Sequence, residues 1–422
     1  MAKIQDIKSR EILDSRGIPT IETKIILEDG NVGACSVPSG VSIGTFEAVE
    51  LRDNDPNRFH GMGVLRAISN VNEIIAPRLK GAESQNQKDI DNFLISLDPS
   101  PNKATLGANA ILSISLAVAK ASSLSLKLPL YIYLNNLAKN WSIDVKPQLP
   151  TPMFNVINGG KHGAGNLDFQ EFHIIPASFK TFSEKLRIGT EIYQSLKKVL
   201  IYRNAIHSIG DEGGFAPNLF TNMDALEMIA EAIKETFYRL GETVFLGLDV
   251  AASHFKKDGG YQIKDKPTKL DTSEFIDYYT ELNNKFHLLL LEDALAEDDW
   301  KGWIELTQKL GNSITLIGDD LLATNPERLD KAIKEKACNA ILVKPNQIGS
   351  LSETLNVVSM AKKAGFKVVI SHRSGETTDT FIADLAVGIA SDYAKFGAPA
   401  RGERVVKYNR LMEIEEELNQ KP

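Results

Sequence analysis

Five residues that can carry chemistry each follow a short apolar run in the second half of the chain. They are Asp249, Glu292, Asp319, Lys344 and His372. Crowded carboxylates repel one another, and a hard divalent cation with oxygen ligands, such as Mg²⁺, removes that repulsion. A lysine near the cation has a lowered pKa and becomes a general base at neutral pH. Brought together, these residues would abstract a proton with the help of a metal ion.

The apolar runs predict the element that brings these residues together. Runs such as 288–291 and 340–343 are short and apolar, which is typical of strands buried on both faces. The five residues follow one another at intervals of 43, 27, 25 and 28 residues, and about 25 residues hold one strand, one helix and two loops. We therefore predict a parallel β/α barrel whose site lies at the carboxyl ends of its strands. Ordinary strand-end polarity explains any one of these residues, but poorly explains five in succession.

Composition restricts the class of protein. The chain has 422 residues, 43% hydrophobic and 24% charged, enough for a large core and for a barrel with an added domain. Its net charge of −7 disfavours nucleic acid as a partner. Cys35 and Cys338 lack metal-ligand spacing and indicate a reducing compartment without a disulfide.

The chain shows neither an export signal nor a convincing membrane span. Residues 1–10 carry charges where a signal peptide needs an apolar core, so we expect a cytoplasmic protein. The most apolar helical pattern, residues 108–126, is interrupted by Asn109, Lys120 and several serines. We interpret it as a buried helix that does not span a membrane.

A change of pattern along the chain predicts two domains. Strand-like alternation gives way to helical periodicity, with strands at 4–12, 20–27 and 32–37 and helices at 63–79, 86–97, 107–126 and 130–137. We interpret residues 1–140 as an α+β domain. A linker at 141–152 that contains three prolines begins a catalytic barrel domain of residues 141–422. The Glu-rich pattern at 408–418 predicts a surface helix.

Six motifs give the chain a resemblance to a known family. They are Asp14–Gly17, Leu106–Leu112, Gly210–Asn218, Leu248–Ser253, Lys344–Gly349 and Ser371–Thr377. Together they extend over nearly the whole chain and resemble the enolase family. The resemblance implies an α/β fold, with an amino-terminal α+β capping domain on an irregular β/α barrel. In that barrel one strand is antiparallel, and the first strands and helices do not alternate simply.

The resemblance also implies an activity. Members of the family are Mg²⁺-dependent lyases that reversibly dehydrate 2-phosphoglycerate to phosphoenolpyruvate in glycolysis and gluconeogenesis. Each site would use two Mg²⁺ ions, the second arriving with the substrate. The family is dimeric or octameric, so we expect a homodimer or an octamer, and the resemblance admits a secondary presence at the cell surface.

Roles for individual residues follow from the same resemblance. The metal ligands would be Asp249, Glu292 and Asp319 for the first ion and Ser42, in a serine- and glycine-containing loop, for the second. The catalytic residues would be Lys344 as base, Glu212 as acid, Glu171 assisting, and His162 on a glycine-rich lid. The substrate would also contact His162, Glu171 and Lys344, with Lys395 at its carboxylate, Arg373 and Ser374 at its phosphate, and His372 beside the site.

The chain departs from the family pattern at several supporting positions. Val41 and Ile43 flank Ser42, Phe46 stands where many members have histidine, and His254 stands where an acid is usual. We expect these changes to affect rate and loop closure more than reaction type.

Two other functions are alternatives. A racemase or cycloisomerase of the same superfamily would share the acidic triad but would need neither Glu212 nor the Arg373–Ser374 pair. A protein that serves through its surface, as a plasminogen receptor or scaffold, would not need Lys344. The presence of all these residues favours the enolase reaction.

Overall fold

The computed structural model describes residues 2–40, 46–163 and 165–420. Its amino-terminal part contains a three-stranded antiparallel sheet of β1 (Ile4–Leu13), β2 (Pro19–Leu27) and β3 (Val32–Ser36), in that order. Alternate residues of β2, such as Ile21 and Ile25, are fully buried, as expected for a sheet with one face on a core. The three strands predicted for this region are therefore confirmed.

Helices complete the amino-terminal part. They are α1 (Leu65–Ser69) and α2 (Ala76–Leu79), joined by a π-helical turn at Asn70–Ile75, then α3 (Gln87–Ser96), α4 (Ala108–Ser125) and α5 (Leu130–Ala138). By length and composition α4 could cross a membrane, yet 83% of its apolar window is buried inside the protein. It packs on β2 and β3, so close to β3 that a Cβ on Gly33 would lie 2.2 Å from the backbone nitrogen of Ala121. The interpretation of α4 as a buried helix is confirmed.

Eight strands form a closed barrel in the second part. They are β4 (Thr151–Asn158), β5 (Glu171–Pro176), β6 (Val244–Asp249), β9 (Leu288–Glu292), β10 (Thr315–Gly318), β11 (Ala340–Val343), β12 (Lys367–Ser371) and β13 (Tyr393–Lys395), with a separate hairpin of β7 (Lys256–Lys257) and β8 (Gly260–Tyr261) between β6 and β9. Around the barrel the order is β10-β11-β12-β13-β4-β5-β6-β9. The predicted β/α barrel is confirmed.

The barrel helices lie between and after these strands. They are α6 (Phe182–Tyr202), α7 (Asn222–Lys234), α8 (Thr272–Phe286), α9 (Trp300–Leu310), α10 (Pro326–Glu335), α11 (Pro345–Ile348), α12 (Leu351–Lys363), α13 (Phe381–Gly388) and α14 (Gly402–Asn419). Capping boxes at Thr181, Thr221 and Asp271 begin α6, α7 and α8 by satisfying free backbone N–H groups.

The start of the barrel is irregular, as expected. β5 pairs with β4 and β6 in antiparallel fashion, whereas every other pair in the barrel is parallel. Two helices in succession, α6 and α7, separate β5 from β6. Regular alternation of strand and helix begins only after β6.

The carboxyl-terminal helix differs from its prediction. α14 begins at Gly402, not near residue 408, and one side of it is buried rather than exposed. Arg404 and Lys407 are 0% exposed and Tyr408 is 1% exposed. The expectation of a surface helix was wrong because Tyr408, Leu411 and Ile414, which lie between the glutamates, are buried on one side of the helix.

Candidate active site

The carboxyl ends of the parallel strands open into one cleft. Its lining includes His162, Glu171, Glu212, Asp249, Asp319, Lys344, His372, Arg373, Ser374 and Lys395. Glu292 lies beneath this lining and is 0% exposed. The structure thus brings together the site residues named from the sequence, except Ser42, which lies outside the described residues.

Strand register places three carboxylates side by side. Asp249, the last residue of β6, is paired with Glu292 of β9 on one side and with Glu171 of β5 on the other. Because β5 runs against its neighbours, its first residue lies at the mouth of the barrel. Asp319 follows β10 directly, on the far side of β9.

Lys395, from β13, provides positive charge at the centre of these acids. Its Nζ lies 2.9 Å from Asp249 Oδ2, 2.8 Å from Glu292 Oε1 and 3.4 Å from Glu171 Oε2. Burial opposes the charged form, but the carboxylates outweigh it and raise the pKa of Lys395 well above its usual value. The resemblance put Lys395 at the substrate carboxylate; in this structure it binds two of the three predicted metal ligands.

The acidic residues carry more negative charge than one lysine balances. Burial and the neighbouring Asp249 raise the pKa of Glu292 well above its usual range, in spite of Lys395, and Asp319 adds to the rise. A nearby cation reverses such a shift by stabilising the anion. The carboxylate oxygens of Asp249, Glu292 and Asp319 are also the type of ligand that Mg²⁺ prefers. These residues therefore fit a hard divalent cation.

Lys344 is bound to Asp319, the third predicted ligand of the first metal ion. Its Nζ lies 2.5 Å from Asp319 Oδ2. Burial alone would lower the pKa of Lys344, but the Asp319 carboxylate, joined by Glu292, raises it on balance. From the sequence we expected the pKa of Lys344 to be lowered beside a cation, whereas the protein's own carboxylates raise it.

A second charged group consists of Glu171 and Glu212 with the histidines His162 and His372 beside them. His162 Nδ1 lies 3.2 Å from Glu171 Oε1 and 3.6 Å from Glu212 Oε2. Burial opposes protonation of His162, but Glu212 and Glu171 raise its pKa to about 9. Burial and Glu171 favour a neutral Glu212, yet His162 and His372 lower its pKa to about 2. At neutral pH this group holds its proton on His162.

The predicted phosphate ligand is held by side chains from other segments. Arg373 Nη1 donates to Glu47 Oε2 at 2.9 Å and to Asn346 Oδ1 at 3.1 Å. All but 7% of the Arg373 side chain is buried. Ser374 follows it along the lining of the cleft. The guanidinium is therefore oriented before any anion binds.

Other residues that line the cleft were not assigned to it from the sequence, among them Glu47, Gln170, Asp293 and Asp320. Gln170 donates to Asp249 Oδ2 at 3.2 Å, and Asp293 accepts from the backbone N–H groups of Asp319 and Asp320. Burial and the adjacent Asp319 raise the pKa of Asp320 to about 7. Adjacency in sequence to predicted site residues could have identified Gln170, Asp293 and Asp320, whereas no sequence signal marks Glu47.

Fold and site together define a class: β/α-barrel enzymes that gather carboxylates, lysines and a buried arginine at the mouth of the barrel. Two family models match the chain. One, described as "Enolase, N-terminal domain", matches residues 4–134, and the other, "Enolase, C-terminal TIM barrel domain", matches residues 146–422. The chain belongs to the enolase family and is an enolase-type lyase that acts on a small-molecule substrate.

Proposed function

We propose that the protein catalyses the reversible dehydration of 2-phosphoglycerate to phosphoenolpyruvate, the Mg²⁺-dependent step shared by glycolysis and gluconeogenesis. The observation that carries the proposal is the placement of Lys344 and Glu212 on different sides of one cleft. Lys344 follows β11, while the loop of Glu212 packs on β4 through Ile157 and Phe215. β12 and β13 separate these two strands around the barrel. Base and acid can therefore approach opposite faces of a substrate.

The base removes the proton next to the substrate carboxylate, which leaves a dianion. A Mg²⁺ ion held by Asp249, Glu292 and Asp319 would supply positive charge for the carboxylate oxygens as this charge develops. The Asp319 carboxylate that keeps Lys344 protonated is itself a predicted metal ligand. A cation bound to Asp319 would compensate the charge of this carboxylate. The pKa of Lys344 would then fall toward the range of a general base.

The acid must protonate the departing hydroxyl, because hydroxide is a poor leaving group. Glu212 is ionised at neutral pH and has no proton of its own to donate. His162 lies 3.6 Å from it, and the neighbouring glutamates raise the pKa of His162 to about 9. Together they hold one proton beside the leaving group. Glu171, within 3.2 Å of His162, keeps that proton in the cleft through its negative charge.

Arg373 and Ser374, which also line the cleft, are suited to the phosphate of the substrate. Arg373 is always charged and presents a planar donor group suited to phosphate oxygens. The Ser374 side chain adjoins it and is 8% exposed. A racemase acting on a simple carboxylate would have no use for this pair, which supports a phosphorylated substrate.

The test is a spectrophotometric assay for the enol phosphate with purified protein and 2-phosphoglycerate. We expect a chelator to abolish the absorbance change and added Mg²⁺ to restore it, because the primary ligands are all carboxylates. Lys344→Ala should stay inactive after Mg²⁺ is restored. Undiminished turnover after exhaustive removal of metal would contradict the proposal.

A further inference from the structure

Arg404 is a fully buried arginine at the first turn of α14, behind the cleft. Its Nη1 lies 2.7 Å from His372 Nδ1 and donates to the carbonyl of Arg373 at 2.7 Å. Its Nη2 donates to the carbonyls of Asp211 at 3.2 Å and Ser374 at 2.7 Å. The planar fork of one guanidinium thus serves four acceptors.

These acceptors belong to the two loops that carry the proposed chemistry. The Asp211 carbonyl immediately precedes Glu212, the proposed acid. The carbonyls of Arg373 and Ser374 belong to the proposed phosphate ligands. A single side chain from the carboxyl-terminal helix therefore sets the distance between the acid loop and the phosphate loop.

The contact with His372 also determines which ring nitrogen carries the proton. A guanidinium has only donors, so His372 Nδ1 must accept, and the ring proton is on Nε2. Nε2 lies 3.4 Å from Glu212 Oε2. Gly397 leaves room for this arrangement, since a Cβ there would lie 2.9 Å from His372 Cε1 and 3.0 Å from Arg404 Cδ.

We propose that Arg404 is a positioning residue for the reaction: it holds His372 in the Nε2–H tautomer, so that the Nε2–H group faces Glu212 Oε2 at 3.4 Å, and it holds the acid and phosphate loops in register. The catalytic part of this inference rests on the proposed function. The tautomer part does not, because it concerns the protein without substrate.

The charges around the His372 ring agree with a neutral donor. Glu212 faces it from the acid loop, Glu171 from β5 and Arg404 from α14, while His162 faces the other side of Glu212. Burial and Arg404 lower the pKa of His372 in spite of Glu212. The His372 ring therefore stays neutral and does not compete with Glu212 for a proton.

The direct test is the long-range proton–nitrogen NMR spectrum of the imidazole rings in the intact protein without substrate. The chain has 7 histidines, and the His372→Gln variant identifies the signal of interest. We expect the Nε2–H tautomer in the wild type, and a shift toward Nδ1–H or an averaged signal in Arg404→Met. Arg404→Lys keeps the charge without the planar fork, so it provides a second variant if Arg404→Met does not fold.

Kinetics with 2-phosphoglycerate test the catalytic part. We expect kcat to fall about tenfold or more in Arg404→Lys, while KM changes less than about threefold, because the acid is displaced more than the binding groups are removed. Arg410→Lys is the matched control: Arg410 lies on the same helix, bonds to Asp384, and should leave kcat and the tautomer unchanged.

Each outcome has one meaning. An unchanged tautomer in both Arg404 variants, or an equal loss of kcat in Arg410→Lys, overturns the inference. A changed tautomer in a protein whose wild type does not turn over 2-phosphoglycerate overturns the proposed function and supports the positioning of His372 by Arg404.

Discussion

Glu171 lies directly opposite Asp249 in the barrel, one at the first residue of β5 and the other at the last residue of β6. The pairing exists only because β5 is antiparallel to its neighbours. It puts a carboxylate from the amino end of one strand among those from the carboxyl ends of others. Lys395 then bridges the two, 3.4 Å from Glu171 and 2.9 Å from Asp249. Lys395 thus joins the predicted metal ligands to the charged group that contains Glu171, Glu212 and His162.

The division of labour between base and acid predicts different behaviour of two variants. Lys344→Ala should stop exchange of the substrate α-proton with deuterated water, because no other group would take that proton. Glu212→Gln should stop elimination, with kcat lowered about 10²-fold or more, but leave this exchange measurable. NMR of recovered 2-phosphoglycerate reports the exchange. Complete loss of exchange in Glu212→Gln would show that the two roles are wrongly assigned.

Glu47 should compete with phosphate for Arg373. The two side chains are 2.9 Å apart, and only 8% and 7% of them are exposed, so their interaction is weakly screened by water. We expect Glu47→Gln to bind inorganic phosphate more tightly, by about threefold to tenfold, because a like charge next to the anion is removed. Isothermal titration calorimetry measures the affinity.

A neutral partner of the same arginine serves as the contrast. Asn346 orients Arg373 through one hydrogen bond of 3.1 Å and carries no charge. We therefore expect Asn346→Ala to weaken phosphate binding. If Glu47→Gln also weakened it, Glu47 would act by orienting Arg373 and not by competing with the anion.

Asp91 makes the stability of the protein depend on pH. It is buried in α3, accepts from Gln87 Nε2 at 3.0 Å and from the backbone N–H of Ser352 at 2.9 Å, and has its pKa raised by burial from 3.8 to about 6. The folded protein therefore keeps a proton that the unfolded chain loses at lower pH. This contribution to stability is complete below about pH 4 and is lost as pH rises through 6, amounting to about 3 kcal/mol at most.

Asp91→Asn removes this titration. We expect its urea midpoint, relative to the wild type, to rise between pH 4 and pH 7, because the wild type alone must bury a charge at the higher pH. Asp89→Asn is the control, since Asp89 is exposed on the same helix. A constant difference between Asp91→Asn and the wild type across this range would show that Asp91 does not titrate there.

The contact between β3 and α4 predicts a strict requirement for glycine at position 33. In Gly33→Ala the new Cβ would lie 2.2 Å from the backbone nitrogen of Ala121, so the helix must move away from the sheet. We expect a loss of about 1–3 kcal/mol, seen as a lower thermal midpoint. Gly402→Ala, with nothing within 4 Å of its Cβ, should be nearly neutral. Equal midpoints for both variants would contradict the close packing.

Local patterns were sufficient wherever neighbouring residues decide the structure. Alternation identified β1, β2 and β3, and apolar runs identified the barrel strands from β6 to β12, because burial of one or both strand faces depends on residues within the strand. Motif resemblance then selected side chains that share one cleft. The same signals could not show that Lys395 binds Asp249 and Glu292, because this contact joins β13 to β6 and β9 across the barrel.

By itself the sequence determined the two-part fold, the enolase family and most of the residues that line the cleft. The tertiary structure alone decided which barrel strand is antiparallel, the raised pKa of Lys344 and the burial of Arg404. The reason is physical: charge interactions and hydrogen bonds act over a few ångströms in space, between residues such as His372 and Arg404 that lie 32 positions apart in the chain. The sequence contains those residues, but only the closed barrel brings them within reach of one another.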